Sequence, residues 1–176
     1  AIEDIQVVIL SRHGSGHAIN PTNVNYRANI SALKEEGCTH ILAATACGSL
    51  RERIAPGHFV FPNQFIDCTT KRINTFFDGS DVRHVPMGEP FSVEMQNCLV
   101  EACKSLDFEH HNGATVVTIE GPRFSTKAES MMFRSWGCDI INMSTVPEII
   151  LARELDLQYQ SIAMSTDYDC WHESEE

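Results

Sequence analysis

The sequence predicts an α/β fold in which a mostly parallel or mixed central sheet is flanked by helices. Short apolar runs rich in β-branched residues alternate with longer segments of helical period. Polar residues that can do chemistry follow the ends of several of these runs. The 176 residues are 43 % hydrophobic and 21 % charged, enough to bury one core. We therefore expect a single domain over residues 1–176.

In the first half, the apolar runs and their punctuation predict five elements. Pro21 suits the first turn of a helix because proline lacks an N–H group, and Gly37 supplies the stop. Pro62 interrupts one of the strand patterns. The elements are a buried strand over 5–10, a helix from Asn20–Pro21 to Gly37, strands over 40–46 and 59–66, and a helix from Ser92 towards Leu106.

The second half repeats this rhythm, with strands predicted over 114–119, 139–143 and 159–166. Two helices begin with the spacing of a capping box, Thr126 with Glu129 and Thr145 with Glu148. His110 and His111 are predicted to lie in an exposed loop. This alternation of strands and helices favours a sheet that is covered on both faces.

Charge and cysteine content restrict the partners and the compartment. The formal net charge of −11 repels nucleic acid and anionic lipid, so neither is expected as a partner. The 7 cysteines form no Cys-x-x-Cys pair, and no signal peptide or membrane span is visible. We therefore expect a reducing compartment, the cytoplasm, with the nucleus as the alternative.

Chemistry-bearing residues recur where predicted strands end, which is where ligands bind in such sheets. Arg12 with His13, the hydroxyl of Thr45, and Ser144 at a predicted helix N-terminus could together hold one tetrahedral anion. Asp167 and Asp169 could protonate a ring nitrogen or accept from an amino group. The alternatives are ordinary helix caps and a solvated acidic loop. With His172 nearby, Asp167 and Asp169 also resemble a metal site, but three residues of one loop are weak evidence for one.

Several strings resemble one known family. They are Ser11-Arg-His-Gly14, Asn25-Tyr-Arg-Ala-Asn29, Ala32-Leu-Lys-Glu-Glu-Gly-Cys-Thr-His40, Thr45-Ala-Cys-Gly-Ser-Leu50, Gln64-Phe-Ile-Asp67, Val117-Thr-Ile-Glu-Gly-Pro-Arg-Phe124, Ile141-Asn-Met143 and Ala163-Met-Ser-Thr-Asp-Tyr-Asp-Cys-Trp171. Together they resemble the trimeric purine nucleoside phosphorylases, in the branch that acts on 5'-methylthioadenosine. The resemblance covers nearly the whole chain.

The resemblance implies phosphorolysis of 5'-methylthioadenosine to adenine and 5-methylthioribose 1-phosphate, with inorganic phosphate as co-substrate and no cofactor or metal. It implies phosphate contacts at Arg12, His13, Thr45, Ala46 and Ser144, where the family commonly has Thr in place of Ser144. It implies nucleoside contacts at His84, Phe124, Ser125, Met143, Thr166, Asp167 and Asp169. Asp167 is the implied acid, and a homotrimer is implied in which His84 reaches a neighbouring subunit's site.

The resemblance also implies that two segments of the family are missing, and alternative functions stay open. The family begins with a strand and a Gly-rich phosphate-binding turn and ends in a C-terminal helix, so we expect an incomplete phosphorylase domain that lacks both. One alternative is a phosphorylase of 6-oxopurine nucleosides, and another is a non-catalytic purine-binding fragment. A nucleoside hydrolase is disfavoured because its N-terminal cluster of calcium-binding aspartates is not seen.

Overall fold

The computed structural model describes residues 5–173 and contains a mixed sheet flanked by helices, which confirms the predicted fold class. Two 3₁₀ turns, Ser15–His17 and Pro21–Asn23, precede the first α-helix. The strands are β1 His40–Ser49, β2 Phe59–Cys68, β3 His110–Ile119, β4 Ile140–Asn142 and β5 Gln158–Tyr168. The helices are α1 Tyr26–Glu35, α2 Val93–Leu106, α3 Lys127–Ser135 and α4 Thr145–Glu154.

The five strands close into a barrel in the order β1-β4-β3-β2-β5, with β5 returning to β1. Three pairs are parallel, namely β1 with β5, β2 with β3, and β3 with β4. The contacts of β1 with β4 and of β2 with β5 are antiparallel. Because Gly48 pairs with Ile141, the C-terminal ends of β1 and β4 meet. The residues that follow these strands are thereby brought together.

A bulge in β5 changes which side chains face this meeting point. Cys47 pairs with Ser165, whereas Gly48 pairs with Asp167, so Thr166 has no partner in β1. A bulge interrupts the alternation of side chains along a strand. Thr166 and Asp167 are consequently both exposed, between the buried Ser165 and the buried Asp169.

The main core lies between the barrel and the helices. Ile149 and Leu151 of α4 are fully buried, and α4 packs against α1 and β5. The predicted caps of two helices are confirmed: Ser92 accepts from the backbone N–H of Met95, and Thr126 forms a full capping box with Glu129. Within residues 5–173, no helix combines the length and the apolar character that a bilayer span requires.

The predicted strand over 5–10 is wrong. Residues 6–10 belong to no strand, and the side chain of Ile9 is 92 % exposed. β-Branched residues favour an extended backbone, but a strand forms only where another strand satisfies its backbone N–H and C=O groups. Among residues 5–173, apart from one bridge residue at Ile5, nothing pairs with this segment.

Two boundary predictions are also wrong. The helix expected from Pro21 begins at Tyr26, because Pro21 instead opens a 3₁₀ turn that Asn20 caps. Pro62 does not interrupt its strand, because β2 runs through it with register shifts on both sides. Such an irregularity accommodates a residue that cannot donate to the ladder.

Two local predictions in the second half are wrong as well. The capping box of Thr145 with Glu148 is absent: Ser144 occupies the N-cap position and makes no capping hydrogen bond, while the Glu148 carboxylate binds Arg12. His111, predicted in an exposed loop, lies in β3 and is half-buried, with its Nε2 2.9 Å from His58 Nδ1. The contacts of Glu148 with Arg12 and of His111 with His58 cannot be predicted from the local sequence pattern.

Candidate active site

A cavity of about 490 Å³ opens where the ends of β1, β4 and β5 meet. Its lining includes every site residue that the sequence predicted except His84. These residues are Arg12, His13, Thr45, Ala46, Phe124, Ser125, Met143, Ser144, Thr166, Asp167 and Asp169. The lining also includes His17, Pro21, Ala44, Cys47, Gly48, Ile119, Ile141 and Asn142.

Two hydroxyl groups form one part of the wall. Thr45 Oγ1 lies 2.8 Å from Ser144 Oγ, and it can also donate to the carbonyl of Ala46 at 3.0 Å. Asn142 donates to Thr45 Oγ1 at 3.5 Å, and it is itself held by hydrogen bonds to Thr145 Oγ1 at 2.8 Å and from Thr118 Oγ1 at 3.0 Å. The two hydroxyls hold two protons. One proton can maintain their mutual hydrogen bond while the other is donated to an anion.

Arg12 supplies the positive charge beside these hydroxyls. Its guanidinium forms a two-pronged ion pair with Glu148, through Nε to Oε1 and through Nη2 to Oε2 at 3.1 Å. Nη1 donates to the carbonyl of Ala44 at 3.0 Å. Although burial disfavours the charged form, Glu148 raises the pKa of Arg12 above its ordinary value. The cation is therefore permanent at any working pH.

His13 has one ring nitrogen committed. Its Nδ1 lies 2.7 Å from the carbonyl of Ile19 and must carry the proton in that bond. The ring stacks on His17 with centroids 4.2 Å apart. The Nε2 atom of His13 can therefore donate to an anion only when the ring is an imidazolium.

The first turn of α4 differs from the regular helix end that the sequence predicted. Val146 has extended φ and ψ of −103° and 132°, and the next residue, Pro147, has no N–H group. The attraction of a helix N-terminus for an anion depends on aligned free N–H groups. Here the hydroxyl of Ser144 is better suited to that role than the helix end.

Two carboxyl groups line another part of the cavity, and they have different surroundings. Asp167 is exposed, and its Oδ1 accepts a hydrogen bond of 2.6 Å from Thr166 Oγ1. Asp169 is only 8 % exposed, and its Oδ2 has no hydrogen-bond partner among residues 5–173. Asp167, the acid that the resemblance implies, is thus exposed among the described residues, whereas Asp169 is buried.

A second buried polar atom without a partner also belongs to the cavity. Ser125 Oγ is buried and receives no hydrogen bond within the described chain. Both atoms belong to residues that line one cavity, so a molecule bound there can supply the hydrogen bonds that they lack within the described chain. Ser125 offers a donor and an acceptor, and Asp169 offers an acceptor. This combination suits a heteroaromatic ring that bears an amino group.

Two glycines, one near the end of β1 and one in the loop after β3, allow close packing of the chain around the cavity. A Cβ atom on Gly48 would lie 3.1 Å from Ile141 Cγ2 and 3.7 Å from Asp167 Oδ2. Gly121 has a φ of +66°, and a Cβ atom there would overlap the sulfur of Met143. Met143 is therefore held against the loop that leads to Phe124, whose ring is 81 % exposed at the cavity mouth.

The sequence reasoning missed a buried arginine behind the cavity. The side chain of Arg72 is fully buried, and its Nη1 donates to the carbonyls of Met143 at 2.7 Å and Val146 at 2.5 Å. Its Nη2 donates to the carbonyl of Glu120 at 2.8 Å. Arg72 thereby links the β3–α3 loop to the β4–α4 turn. Its position, in a polar stretch without periodicity, gave no local signal.

Glu120 secures the same region. Burial opposes the charge of its carboxylate, but hydrogen bonds from Thr22 and from the backbone N–H groups of Thr70 and Lys71, together with Arg72, lower its pKa to about 2. The carboxylate thus holds Thr70 and Lys71, in the segment that follows β2, against the end of β3. Sequence reasoning assigned Glu120 no individual role.

Cys47 and His84 contribute differently from the rest. Burial and the charge of Asp167 raise the pKa of the Cys47 thiol to about 12, so the thiol in the cavity wall is not a nucleophile at neutral pH. His84 is exposed and does not line the cavity, although the sequence predicted it as a substrate contact. Within one chain, His84 is therefore not brought to the site.

Comparisons with known proteins identify the family of the chain. The model of the phosphorylase superfamily matches residues 4–176. S-methyl-5'-thioadenosine phosphorylase from Danio rerio is 59 % identical over 180 residues, which cover 99 % of this chain and 64 % of the relative. The enzyme of that name from Drosophila melanogaster is 56 % identical over 175 residues, which cover 97 % of this chain and 61 % of the relative.

Solved structures give the same result. Methylthioadenosine phosphorylase from Schistosoma mansoni in complex with adenine superimposes with a TM-score of 0.95 at 46 % identity, covering all of this chain and 69 % of that one. A mutant of that adenosine/methylthioadenosine phosphorylase in complex with methylthioadenosine gives a TM-score of 0.93 at 46 % identity, covering 98 % of this chain and 68 % of that one.

The chain thus spans less than two thirds of the length of the curated relatives it matches. The matches themselves cover 97 % to 99 % of this chain. The family model, the sequence identity and the superposition all extend across the strands that form the cavity. On this evidence, the chain belongs to the phosphorylase superfamily.

Proposed function

We propose that the protein catalyses the phosphorolysis of 5'-methylthioadenosine, giving adenine and 5-methylthioribose 1-phosphate. One observation carries the proposal: anion-binding groups at Arg12, Thr45 and Ser144 line the same cavity as the carboxyl groups of Asp167 and Asp169. The similarity to methylthioadenosine phosphorylases, including structures in complex with adenine and with methylthioadenosine, supports this choice of substrate.

The chemistry assigns a role to each end of the cavity. The bond between the anomeric carbon and purine N9 breaks, and a phosphate oxygen forms a new bond to that carbon. Positive charge develops on the sugar in between, and a phosphate held by Arg12, His13, Thr45, Ala46 and Ser144 stabilises it. No cofactor or metal is needed in this scheme, because phosphate is the co-substrate.

The leaving purine takes the electron pair of the broken bond. Asp167 protonates N7 of the base, and the proton lost by phosphate as it forms the ester replaces the proton that Asp167 gave up. Phe124 and Met143 pack against the base and sugar, and Thr166 orients Asp167 through its hydrogen bond. Because Asp167 is exposed in the described chain, we propose that bound nucleoside covers it and excludes water from the proton transfer.

Base preference follows from the buried acceptor. Asp169 Oδ2 can accept from the 6-amino group of adenine, whereas a 6-oxopurine would present a second acceptor to it. Ser125 also lines the cavity, and its buried Oγ has no hydrogen-bond partner in the described chain. It supplies a hydrogen bond to the purine ring. The site is therefore proposed to prefer 6-aminopurine nucleosides.

Assembly and compartment are part of the proposal. We propose one phosphorylase domain over residues 1–176, working in a homotrimer in which His84 serves a neighbouring site. The exposed position of His84 outside its own cavity supports this, as do the exposed apolar side chains of Phe124, Met131 and Trp136. The seven cysteines are all free, which supports a reducing compartment such as the cytoplasm, with the nucleus as the alternative.

The test is to incubate the purified protein with 5'-methylthioadenosine, with and without inorganic phosphate, and to measure free base by chromatography. Adenine released only with phosphate is the expected result. A parallel reaction with inosine distinguishes the 6-oxopurine alternative, which predicts faster release of hypoxanthine. Purine binding without release of base in either reaction would support a non-catalytic fragment instead.

A further inference from the structure

Arg12 does not reach the cavity as an independent side chain, because it is held by a buried carboxylate on α4. Glu148 is 6 % exposed and does not itself line the cavity. Its Oε1 accepts from Arg12 Nε, and its Oε2 accepts from Arg12 Nη2 at 3.1 Å. The same Oε2 accepts from the hydroxyl of Tyr159 at 2.8 Å, and Tyr159 is itself 2 % exposed.

This arrangement leaves part of the Arg12 guanidinium free to bind a ligand. A guanidinium has five N–H groups in one plane. Glu148 takes one on Nε and one on Nη2, and the carbonyl of Ala44 takes one on Nη1. Two N–H groups remain, one on each terminal nitrogen, and they have no partner among residues 5–173. These two are the donors that Arg12 can offer to an anion in the cavity that it lines.

Tyr159 fixes the carboxylate that fixes the arginine. Burial and the neighbouring charge of Glu148 raise the pKa of Tyr159 well above its ordinary value, so its hydroxyl stays protonated and donates. Each member of the chain Tyr159–Glu148–Arg12 is thus restrained by the one before it. A long arginine side chain otherwise loses considerable rotamer entropy when it binds a ligand in one geometry.

We propose that Glu148 is a positioning residue for the phosphate site, acting through Arg12 to present its two remaining N–H groups to an oxyanion. This inference rests on the proposed function for the identity of the anion as inorganic phosphate. Glu148 touches neither phosphate nor nucleoside in this account. Its effect must therefore disappear when Arg12 is absent, which separates it from a purely structural carboxylate.

The experiment measures phosphate affinity by titration calorimetry with inorganic phosphate, and separately the KM for phosphate and for 5'-methylthioadenosine. Glu148→Gln keeps the side-chain shape but replaces one acceptor by an NH₂ group that faces a guanidinium donor. It is expected to weaken phosphate binding about 10-fold or more, the equivalent of one lost charge-assisted hydrogen bond. The KM for the nucleoside should stay within about twofold of its starting value.

The deciding comparison is a double-mutant cycle. In protein that already carries Arg12→Ala, adding Glu148→Gln should change phosphate affinity by less than about twofold. Glu101→Gln serves as the control, because Glu101 is an exposed carboxylate on α2 that pairs with Lys104. If Glu148→Gln fails to fold, Tyr159→Phe retains both charges and should weaken phosphate binding in the same direction, by about threefold.

The outcomes separate this inference from the proposed function. Unchanged phosphate affinity in Glu148→Gln, or the same loss with and without Arg12, would overturn the inference even if phosphorolysis is observed. Phosphate binding that depends on Glu148 in a protein without phosphorolysis would uphold the inference and contradict the proposed function. A protein that binds no phosphate would overturn both.

Discussion

The hydroxyl oxygens of Thr45 and Ser144 lie 2.8 Å apart in the cavity, although 99 residues separate them in the chain. Thr45 lies within β1, four residues before its end at Ser49, and Ser144 follows β4. Their approach depends on the antiparallel contact between these two strands, in which Gly48 pairs with Ile141. The contact between β1 and β4 thus brings two hydroxyl donors together in the cavity.

Ser144→Ala should weaken phosphate binding, because the Ser144 donor is lost and the remaining proton, on Thr45 Oγ1, can be held by the carbonyl of Ala46 at 3.0 Å. We expect the KM for phosphate to rise about 10-fold, equivalent to one hydrogen bond to a charged group, with a much smaller change in the KM for nucleoside. Steady-state kinetics at varied phosphate check this. Ser105→Ala, which removes an exposed hydroxyl on α2, is the matched control. Equal losses for both substrates would contradict the assigned role.

Asp169→Asn should shift the base preference towards 6-oxopurine nucleosides. The amide replaces a buried acceptor with a group that can also donate, so the carbonyl of a 6-oxopurine gains a partner. The ratio of kcat/KM for 5'-methylthioadenosine to that for inosine should fall about 10-fold or more. Asp107→Asn, at an exposed left-handed position after α2, is the control. An unchanged ratio would argue against Asp169 as the base contact.

Glu120→Gln should alter acid stability in a defined pH range. The pKa of Glu120 is about 2 in the folded protein against an ordinary 4.5, so its carboxylate stabilises the fold above pH 4.5. This contribution is lost as the pH falls from about 4.5 to about 2. At pH 7 the variant should lose about 1–3 kcal/mol of unfolding free energy.

Urea titrations at several pH values measure this difference. The gap between the unmodified protein and Glu120→Gln should narrow as the pH falls through that range. A gap that does not vary between pH 7 and pH 2.5 would show that the charge of Glu120 is not what stabilises the loop.

Gly121→Ala should be more costly than another glycine substitution with a similar backbone. Gly37 and Gly121 both have positive φ, +81° and +66°, so alanine is strained at each by about 1–2 kcal/mol. Only at Gly121 does the new Cβ meet a side chain, the sulfur of Met143. Thermal unfolding should therefore show a larger loss for Gly121→Ala, by about 1–3 kcal/mol. Equal losses would mean that Met143 moves aside freely.

Mixing two variants of reduced activity tests whether the site is shared between subunits. Asp167→Asn should abolish most turnover with little change in unfolding temperature, because Asp167 is exposed and Asn has nearly its shape. His84→Ala should lower activity by removing a contact to a neighbouring site. If His84 acts across an interface, co-refolded mixtures should regain part of the activity, since some sites then contain both intact residues. Activity that stays at the average of the two variants would indicate a site within one subunit.

Much of the fold could be predicted because local and global preferences agree. The runs that became β1, β3 and β5 are rich in apolar and β-branched residues, and residues such as Val116 and Ala163 are fully buried in the barrel. The segment 5–10 has the same composition without a strand beside it, so its composition predicted a strand that did not form. Local pattern cannot reveal whether a partner exists.

The candidate site could be predicted in outline but not in its supports. The rule that ligands bind at the C-terminal ends of strands identified Arg12, Thr45, Ser144 and Asp167. These residues line one cavity although the strand predicted before Arg12 does not form and although β1 and β4 are antiparallel. The bulge that exposes both Thr166 and Asp167 depends on pairing register with β1. The partnership of Arg12 with Glu148, 136 residues away, and the burial of Arg72 are likewise tertiary, so no local spacing announces them.

The most direct test of the central claim follows the phosphate itself. The protein is incubated with 5'-methylthioadenosine and [³²P]phosphate, and labelled sugar phosphate and free adenine are quantified together. The account predicts one labelled 5-methylthioribose 1-phosphate for each adenine released, and the loss of most of both products when Asp167→Asn replaces the unmodified protein. Adenine released without any labelled sugar phosphate would contradict it.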